Sequence, residues 1–294
     1  MISLHENEDS EEFEMGSLKQ RILTAVIAIP VLIIIVAFIP YLNHLAFCIT
    51  VTIIAFLGSK EMHSLLSKDQ EKLPFTSYTG ALLPLAQYVQ FSYFPNIELT
   101  FYTLMTLIGL TLLLEVFTGA DDDFHGTWER NSKSVLNIIY PGLFSSFIIR
   151  IAFFPNASWY LLFFFLLVFG SDTFAYFFGI AFGKNNKGIL KVSPNKSIAG
   201  YVGAILVPAI FGLLSSCIFP EIFQYSRLEG FVLGAITALA AALGDLIESA
   251  FKRCAEVKDS GSIIPGRGGI LDSVDSIVMA APVYVAILTL SLGV

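Results

Sequence analysis

Long runs of apolar residues, separated by short polar segments, dominate this chain of 294 residues. Hydrophobic residues make up 55% of the sequence and charged residues only 14%, which is more apolar than a soluble domain. An α-helix needs about 20 apolar residues to cross a hydrocarbon core that is ~30 Å thick. The sequence therefore predicts an all-α polytopic membrane protein.

We predict about nine transmembrane helices, of which the second and third have the weakest patterns. They lie at about 22–41, 45–58, 78–94, 99–117, 135–154, 159–182, 201–219, 231–251 and 271–294.

The positive charges predict how the chain is oriented in the membrane. With a cytosolic N-terminus, only Arg150 and Arg227 of the 17 lysines and arginines fall on the outer side. Lysine and arginine are enriched in cytoplasmic loops, so we expect the N-terminus in the cytosol and the C-terminus outside. Residues 1–17 are acidic and lack the cationic start of a signal peptide, which predicts a disordered cytosolic tail. The net charge of −7 comes partly from this tail, and no nucleic-acid partner is expected.

Charged residues concentrate in one stretch near the C-terminus, from Gly244 to Ser276. If a helix ends near Cys254, Asp245, Ser249 and Lys252 share one helix face, because they lie at positions i, i+4 and i+7. Such a face indicates a site for a polar molecule. The charged residues are Asp245, Glu248, Lys252, Arg253, Glu256, Lys258, Asp259, Arg267, Asp272 and Asp275.

The loop from Lys258 to Gly269 is rich in glycine and precedes a new apolar run that starts at Ile270. Glycine lets backbone N–H groups approach a ligand closely, and the N–H groups at a helix start favour an anion such as phosphate. Arg267 adds a forked cation at this point. We therefore expect this loop to bind phosphate.

Asp272 and Asp275 lie three residues apart in the first turn of the following helix and point the same way. Two carboxylates on one face repel each other unless a cation lies between them, and oxygen ligands suit Mg²⁺ when a substrate supplies phosphates. The alternative is that these acids only complement the helix dipole, and that Lys252 and Arg253 only mark the cytosolic end of a membrane helix.

Asp172 lies within the sixth predicted span, roughly 16 Å from its cytosolic end at ~1.5 Å per residue. An acid near the middle of a membrane costs at least ~2.5–3.5 kcal/mol, so a functional role is expected. The alternative is a structural acid bonded to a neighbouring helix. Gly179 and Gly183 form a face of small residues that allows close helix contact, and a homodimer is predicted from it.

Two blocks of the sequence form a long and specific pattern. The first block contains Ser249-x-Phe251-Lys252-Arg253, then Lys258-Asp259-Ser260-Gly261, then Pro265-Gly266-x-Gly268-Gly269-x-Leu271-Asp272-x-x-Asp275. The second block contains Asp172-Thr173, Ala175-Tyr176, Gly179, Phe182-Gly183-Lys184 and Ser193-Pro194-x-Lys196-Ser197. The pattern resembles the signature of phosphatidate cytidylyltransferases, also called CDP-diacylglycerol synthases. In the first block, Arg267 stands where that family usually has His, and Ser273 stands where it usually has Arg.

The resemblance implies that CTP and phosphatidic acid react to give CDP-diacylglycerol and pyrophosphate. It implies Asp245, Asp272 and Asp275 as ligands of Mg²⁺, with a second cation possible, and these three with Lys252 as catalytic residues. The residues implied in substrate binding are Lys258, Asp259, Arg267, Gly266, Gly268, Gly269, Ser249, Ser197, Lys196 and Asp172.

On this interpretation residues 18–133 form an N-terminal transmembrane region, and residues 134–294 form a catalytic transmembrane region with cytosolic loops at 183–200 and 252–270. We expect a multi-pass protein of the bacterial inner membrane whose active site faces the cytosol.

Two alternative functions stay open. One is a CTP-dependent enzyme that acts on another membrane lipid phosphate or a polyprenol. The other is a secondary transporter, since Asp172 lies near the midplane.

Overall fold

The computed structural model describes residue 20 and residues 23–67, 76–188 and 190–293. Within these residues the chain is helical, and strand-type pairing is confined to two isolated bridges. The predicted all-α class is therefore confirmed. The acidic tail predicted at residues 1–17 lies outside the described residues.

The helices follow one another with short connections. Two segments are π-helical. Ile34–Phe38 ends the first helix, and Ile138–Leu143 joins the sixth helix to the seventh. The helices are α1 (Leu23–Phe38), α2 (Tyr41–Leu66), α3 (Thr76–Thr79), α4 (Leu82–Tyr93), α5 (Leu99–Thr118), α6 (Thr127–Asn137), α7 (Phe144–Ile151), α8 (Ala157–Phe182), α9 (Ile198–Ile218), α10 (Arg227–Cys254) and α11 (Leu271–Leu292).

Seven helical stretches in the described part of the chain are long and apolar enough to cross a membrane: α2, α5, α6 with α7, α8, α9, α10 and α11. The chain is thus a multi-pass membrane protein. The first and third predicted spans are helical but shorter, and α4 has only 12 residues. That length covers about 18 Å at ~1.5 Å per residue, which is less than a hydrocarbon core. The apolar run around α4 is interrupted by a turn at Gly80, so composition overestimated the helix length.

The C-terminal half is a tight group of four helices in which α10 packs against both α9 and α11, and α8 packs against α9. Small residues bring α9 and α10 together. A Cβ atom added at Gly212, Gly230 or Gly234 would overlap the backbone of the facing helix. Because α9 and α10 touch through their backbones, the two helices are held in a fixed relation.

The N-terminal half supports one end of this group. Met62 of α2, Tyr140 of the π-helical turn and Leu271 at the start of α11 form a small buried apolar cluster. The Tyr140 ring also meets the Phe251 ring of α10 edge to face, with ring centroids 5.4 Å apart. The end of α2 therefore packs beside the start of α11.

Candidate functional site

A polar cavity of about 870 Å³ lies between α8, α9, α10, α11 and the loops that follow α8 and α10. It extends along α8 from Ser171 to Ile180, a depth of roughly 14 Å at ~1.5 Å per residue. Both blocks of the sequence signature contribute to its wall. The charged residues on the wall are Asp172, Asp245, Asp259, Asp272, Asp275, Lys184, Lys187, Lys196, Lys252 and Arg267.

Gly244 brings α10 and α11 together beside the cavity. A Cβ atom at this position would lie 2.6 Å from the carbonyl oxygen of Asp275, so only glycine allows this approach. The carboxylates of Asp245 on α10 and Asp275 on α11 consequently lie on the same wall. Asp275 is buried, and among the described residues its carboxylate accepts one hydrogen bond, from the N–H of Ser276, 2.6 Å away.

Asp245 is held by residues on two sides. Lys196, in the loop between α8 and α9, forms an ion pair with its Oδ2 atom. The hydroxyl of Ser249, one turn along α10, donates to Oδ1 over 3.5 Å. The Lys196 nitrogen lies 5.8 Å from the centre of the Tyr201 ring. The lysine is half-buried against α9 and carries its charge into the cavity.

Ser197 begins α9 as its N-cap. Its hydroxyl accepts a hydrogen bond from the N–H of Gly200 at 3.1 Å. Gly179 and Gly183 pack directly on this serine. The small-residue face of α8, from which a homodimer was predicted, is thus used for contact with α9 within the same chain.

Lys252 lies between two carboxylates. Its ammonium forms an ion pair with Glu248, one turn earlier in α10, and lies 2.6 Å from Oδ1 of Asp272 on α11. Glu248 is fully buried. No role was predicted for Glu248 from the sequence, although a glutamate four residues before a lysine on a helix predicts this pair.

The second oxygen of Asp272, Oδ2, accepts three hydrogen bonds from the polar loop. The donors are the N–H of Ser260 at 2.8 Å, the hydroxyl of Ser260 at 2.9 Å and the N–H of Gly269 at 2.7 Å. Both oxygens of this carboxylate therefore have protein donors. Asp272 closes the loop onto the start of α11 and holds Lys252 at the same time.

The N–H groups at the start of α11 bind a carboxylate from the other half of the chain. Glu61 of α2 accepts from the N–H of Ile270 at 2.9 Å and from the N–H of Leu271 at 2.8 Å. We expected an anion at this helix start, but as a substrate phosphate rather than a side chain of the protein. Glu61 lies more than 200 residues away in the sequence, and no local pattern marks it.

The remaining predicted residues divide between the cavity wall and its surroundings. Asp172, Asp259 and Arg267 lie on the wall with Lys196 and Ser197. Among the described residues, Ser249, Lys258, Gly266, Gly268 and Gly269 are not part of this wall.

The two departures from the usual signature in its C-terminal block differ in position. Arg267 lies on the wall, so its guanidinium takes the place of the usual imidazole. Ser273 is not on the wall, and its hydroxyl donates to the carbonyl of Gly269 over 3.3 Å. The Arg267 departure therefore changes the chemistry of the cavity directly.

The carboxylates of the cavity could hold a hard cation such as Mg²⁺ only together with oxygen atoms from a bound substrate or water. Within the described residues, no three His, Cys, Asp or Glu side chains lie close enough to hold a metal by themselves. Mg²⁺ often takes one or two carboxylates and completes its shell with water and substrate phosphates. Asp275 fits this arrangement most directly, because it faces the cavity and its carboxylate accepts only the N–H of Ser276 among the described residues. Asp245 also faces the cavity, but its two oxygens accept from Lys196 and Ser249, and both oxygens of Asp272 have donors as well.

Comparison with known proteins gives a consistent result. The sequence model of the cytidylyltransferase family matches residues 19–291. Two proteins named phosphatidate cytidylyltransferase are similar over nearly their whole length. The protein from Haemophilus influenzae is 30% identical, over 91% of this chain and 97% of its own. The protein from Bacillus subtilis is 31% identical, over 94% of this chain and 99% of its own.

Proposed function

The chain belongs to the cytidylyltransferase family, and we propose that it transfers the cytidylyl group of CTP to phosphatidic acid, forming CDP-diacylglycerol and pyrophosphate for phospholipid synthesis. The observation that carries this proposal is that both blocks of the signature converge on one cavity, whose wall carries five carboxylates and five cations from the described part of the chain.

The form of the cavity suits two substrates of opposite solubility. Phosphatidic acid cannot leave the bilayer at low cost, and CTP cannot enter it. A polar cavity that extends along a membrane-spanning helix gives the two phosphates a common place to meet. Lys184 and Lys187 lie at the end where α8 finishes, and Asp172 lies deeper along the same helix. We propose that CTP enters past the lysines and that the lipid phosphate approaches from the membrane.

The reaction is a substitution at phosphorus. A phosphate oxygen of phosphatidic acid attacks the α-phosphorus of CTP, the bond from that phosphorus to the β-phosphate oxygen breaks, and pyrophosphate leaves. The chain contributes mainly position and charge, as in other phosphoryl transfers. We assign Lys196, Lys252 and Arg267 to the phosphate oxygens because all three cations lie on the wall.

We propose Asp275 as the ligand that the cavity offers directly to Mg²⁺, and Asp245 as a second ligand once Lys196 moves off its Oδ2 atom. When bound, Mg²⁺ neutralises phosphate charge and polarises the phosphorus centre. Asp272 was assigned to the metal by resemblance. It would join only after one of its donors, such as Lys252 or Ser260, moves away. In the described state it positions Lys252 and the loop.

We further propose that the protein resides in the bacterial inner membrane with the cavity open to the cytosol, where CTP is present. This agrees with the bacterial origin of its relatives and with the distribution of lysine and arginine.

A homodimer stays a prediction, and the glycine face of α8 does not support it, because that face contacts α9 of the same chain. Single-molecule counting in nanodiscs tests it, because fully active monomers would remove the need for a dimer.

The substrate assignment is tested with purified protein in mixed micelles, by comparing kcat/KM for phosphatidic acid, other lipid phosphates and a polyprenyl phosphate. We expect phosphatidic acid to be preferred. A higher kcat/KM for another lipid phosphate would support the alternative enzyme. Ion-gradient-driven uptake by proteoliposomes without CTP would support a transporter instead.

A further inference from the structure

Glu61 of α2 is a buried carboxylate that binds the catalytic half of the chain at three points. Its Oε1 atom accepts the N–H of Ile270 at 2.9 Å, and its Oε2 atom accepts the N–H of Leu271 at 2.8 Å. The hydroxyl of Ser260 lies 3.2 Å from Oε2. The residue is only 7% exposed, so these donors take the place of water around a buried charge.

The loop is shaped around this carboxylate. A Cβ atom at Gly261 would lie 2.5 Å from Oε1 of Glu61, and a Cβ atom at Gly269 would overlap the Glu61 carboxylate and the Ser260 hydroxyl. Neither glycine has a positive φ in the structure. These two positions are glycine because Glu61 fills the adjacent space, and not because the backbone needs an unusual conformation.

Ser260 links Glu61 to the cavity. Its hydroxyl is within hydrogen-bond distance of Glu61 Oε2 at 3.2 Å and of Asp272 Oδ2 at 2.9 Å. A serine hydroxyl carries one proton and can donate to one of these carboxylates at a time. Asp272 in turn holds the ammonium of Lys252 on the cavity wall. An unbroken chain of contacts therefore runs from α2 to Lys252.

We propose that Glu61 is a positioning residue for the transfer reaction. It fixes the first turn of α11 and the loop between Lys258 and Gly269, and through Ser260 and Asp272 it sets the position of Lys252 towards the phosphates of CTP. This inference rests on the proposed function. Among the described residues, the N-terminal half of the chain contributes none to the cavity wall. The proposal therefore gives this half a role in the reaction through Glu61 alone.

The test uses Glu61→Gln, which keeps the shape of the side chain. One end of the amide is a donor and cannot accept an N–H, so one of the two bonds to α11 is lost. Glu115→Gln is the matched control. Glu115 is also a buried carboxylate of the N-terminal half, but it binds Arg130 at 2.5 Å and Thr127 at 2.9 Å, away from the cavity.

Two measurements are made on the full-length variants in detergent. Hydrogen exchange with mass spectrometry follows the backbone amides of residues 258–272, and steady-state kinetics gives KM and kcat for each substrate. For Glu61→Gln we expect faster exchange confined to residues 258–272. We also expect a fall in kcat/KM for CTP of roughly 10–100-fold with an unchanged KM for phosphatidic acid. Glu115→Gln should lose stability without this pattern.

A double-mutant cycle with Ser260→Ala separates positioning from general destabilisation. If Glu61 acts through Ser260, the losses in kcat/KM from Glu61→Gln and Ser260→Ala do not multiply in the double variant. The proposal is overturned if exchange at residues 258–272 is unchanged in Glu61→Gln. It is also overturned if the kinetic loss, corrected for the folded fraction, equals that of Glu115→Gln. An inactive wild type would refute the proposed function instead, and the exchange result would still decide whether Glu61 fixes the loop.

Discussion

The ammonium nitrogen of Lys252 lies 2.6 Å from Oδ1 of Asp272 and also pairs with Glu248, which is fully buried. One cation thus compensates two carboxylates at the junction of α10 and α11. Lys252 is therefore both a candidate phosphate ligand and part of the structure, and substituting it changes both properties. Its two roles can be separated because Glu248 does not lie on the cavity wall.

Lys252→Met should abolish turnover and destabilise the protein by about 3–5 kcal/mol, because it leaves the buried carboxylate of Glu248 without its ion-pair partner and removes the cation from the carboxylate of Asp272. The double variant Glu248→Gln with Lys252→Met removes one of those charges. We expect it to regain part of the lost stability while staying inactive. Denaturant unfolding and CTP turnover measure the two effects. A double variant that regained turnover would show that Lys252 is only structural.

Asp275→Asn and Asp245→Asn should each abolish turnover while the protein stays inserted and folded. Each change removes a charged oxygen ligand from the cavity wall without altering the shape of the side chain. Asp123→Asn, an exposed position in the turn before α6, is the control and should keep full activity. Turnover is compared with the amount of folded protein from size-exclusion chromatography. Near-normal activity of Asp275→Asn would refute its assignment to the metal.

Arg267→His introduces the residue that the signature usually has at this position. Imidazole has an ordinary pKa of about 6.5, so it is charged below that pH and neutral above it, whereas a guanidinium group keeps its charge across this range. The KM for CTP of the variant should therefore rise as pH increases from about 5.5 to about 7.5, beyond any change in the wild type. Identical pH profiles for the two proteins would mean that position 267 does not contact the CTP phosphates.

Gly269→Ala should destabilise the loop and lower turnover. The added methyl group would overlap Ser260 and the Glu61 carboxylate, which must move away from the start of α11. Gly109→Ala in α5 is the control, because nothing lies within 4 Å of an added Cβ atom there. We expect Gly109→Ala to be neutral or slightly stabilising, since alanine favours helix. Equal melting temperatures for the two variants would contradict the tight packing around Glu61.

The sequence predicted the helical membrane class and the convergence of two distant blocks on one site. Asp172 is an example, since its cost in a membrane predicted a functional role, and the residue lies on the wall of the cavity. Hydropathy could not predict that the first and third spans would be short, because helix ends at turns such as Gly80 depend on packing. Motif membership could not distinguish wall residues such as Arg267 from supporting ones such as Ser249.

Long-range contacts set the limit of what the sequence could predict about the site. Glu61 lies in an apolar helix of the half that carried no motif, and its partners at Ile270 and Leu271 are 209 and 210 residues away. The helix start at Ile270 correctly indicated an anion, but only the packing of α2 beside α11 identified it. The same limit applies to the glycines at 261 and 269, whose role depends on that carboxylate.

The central claim is tested most directly by supplying purified protein with CTP labelled at either the α- or the γ-phosphate, with and without phosphatidic acid and Mg²⁺. We predict that the α-label passes into the organic phase only when both are present, while the γ-label stays in the aqueous phase as pyrophosphate. Organic-phase label that did not require phosphatidic acid, or no transfer by demonstrably folded protein, would contradict the assignment.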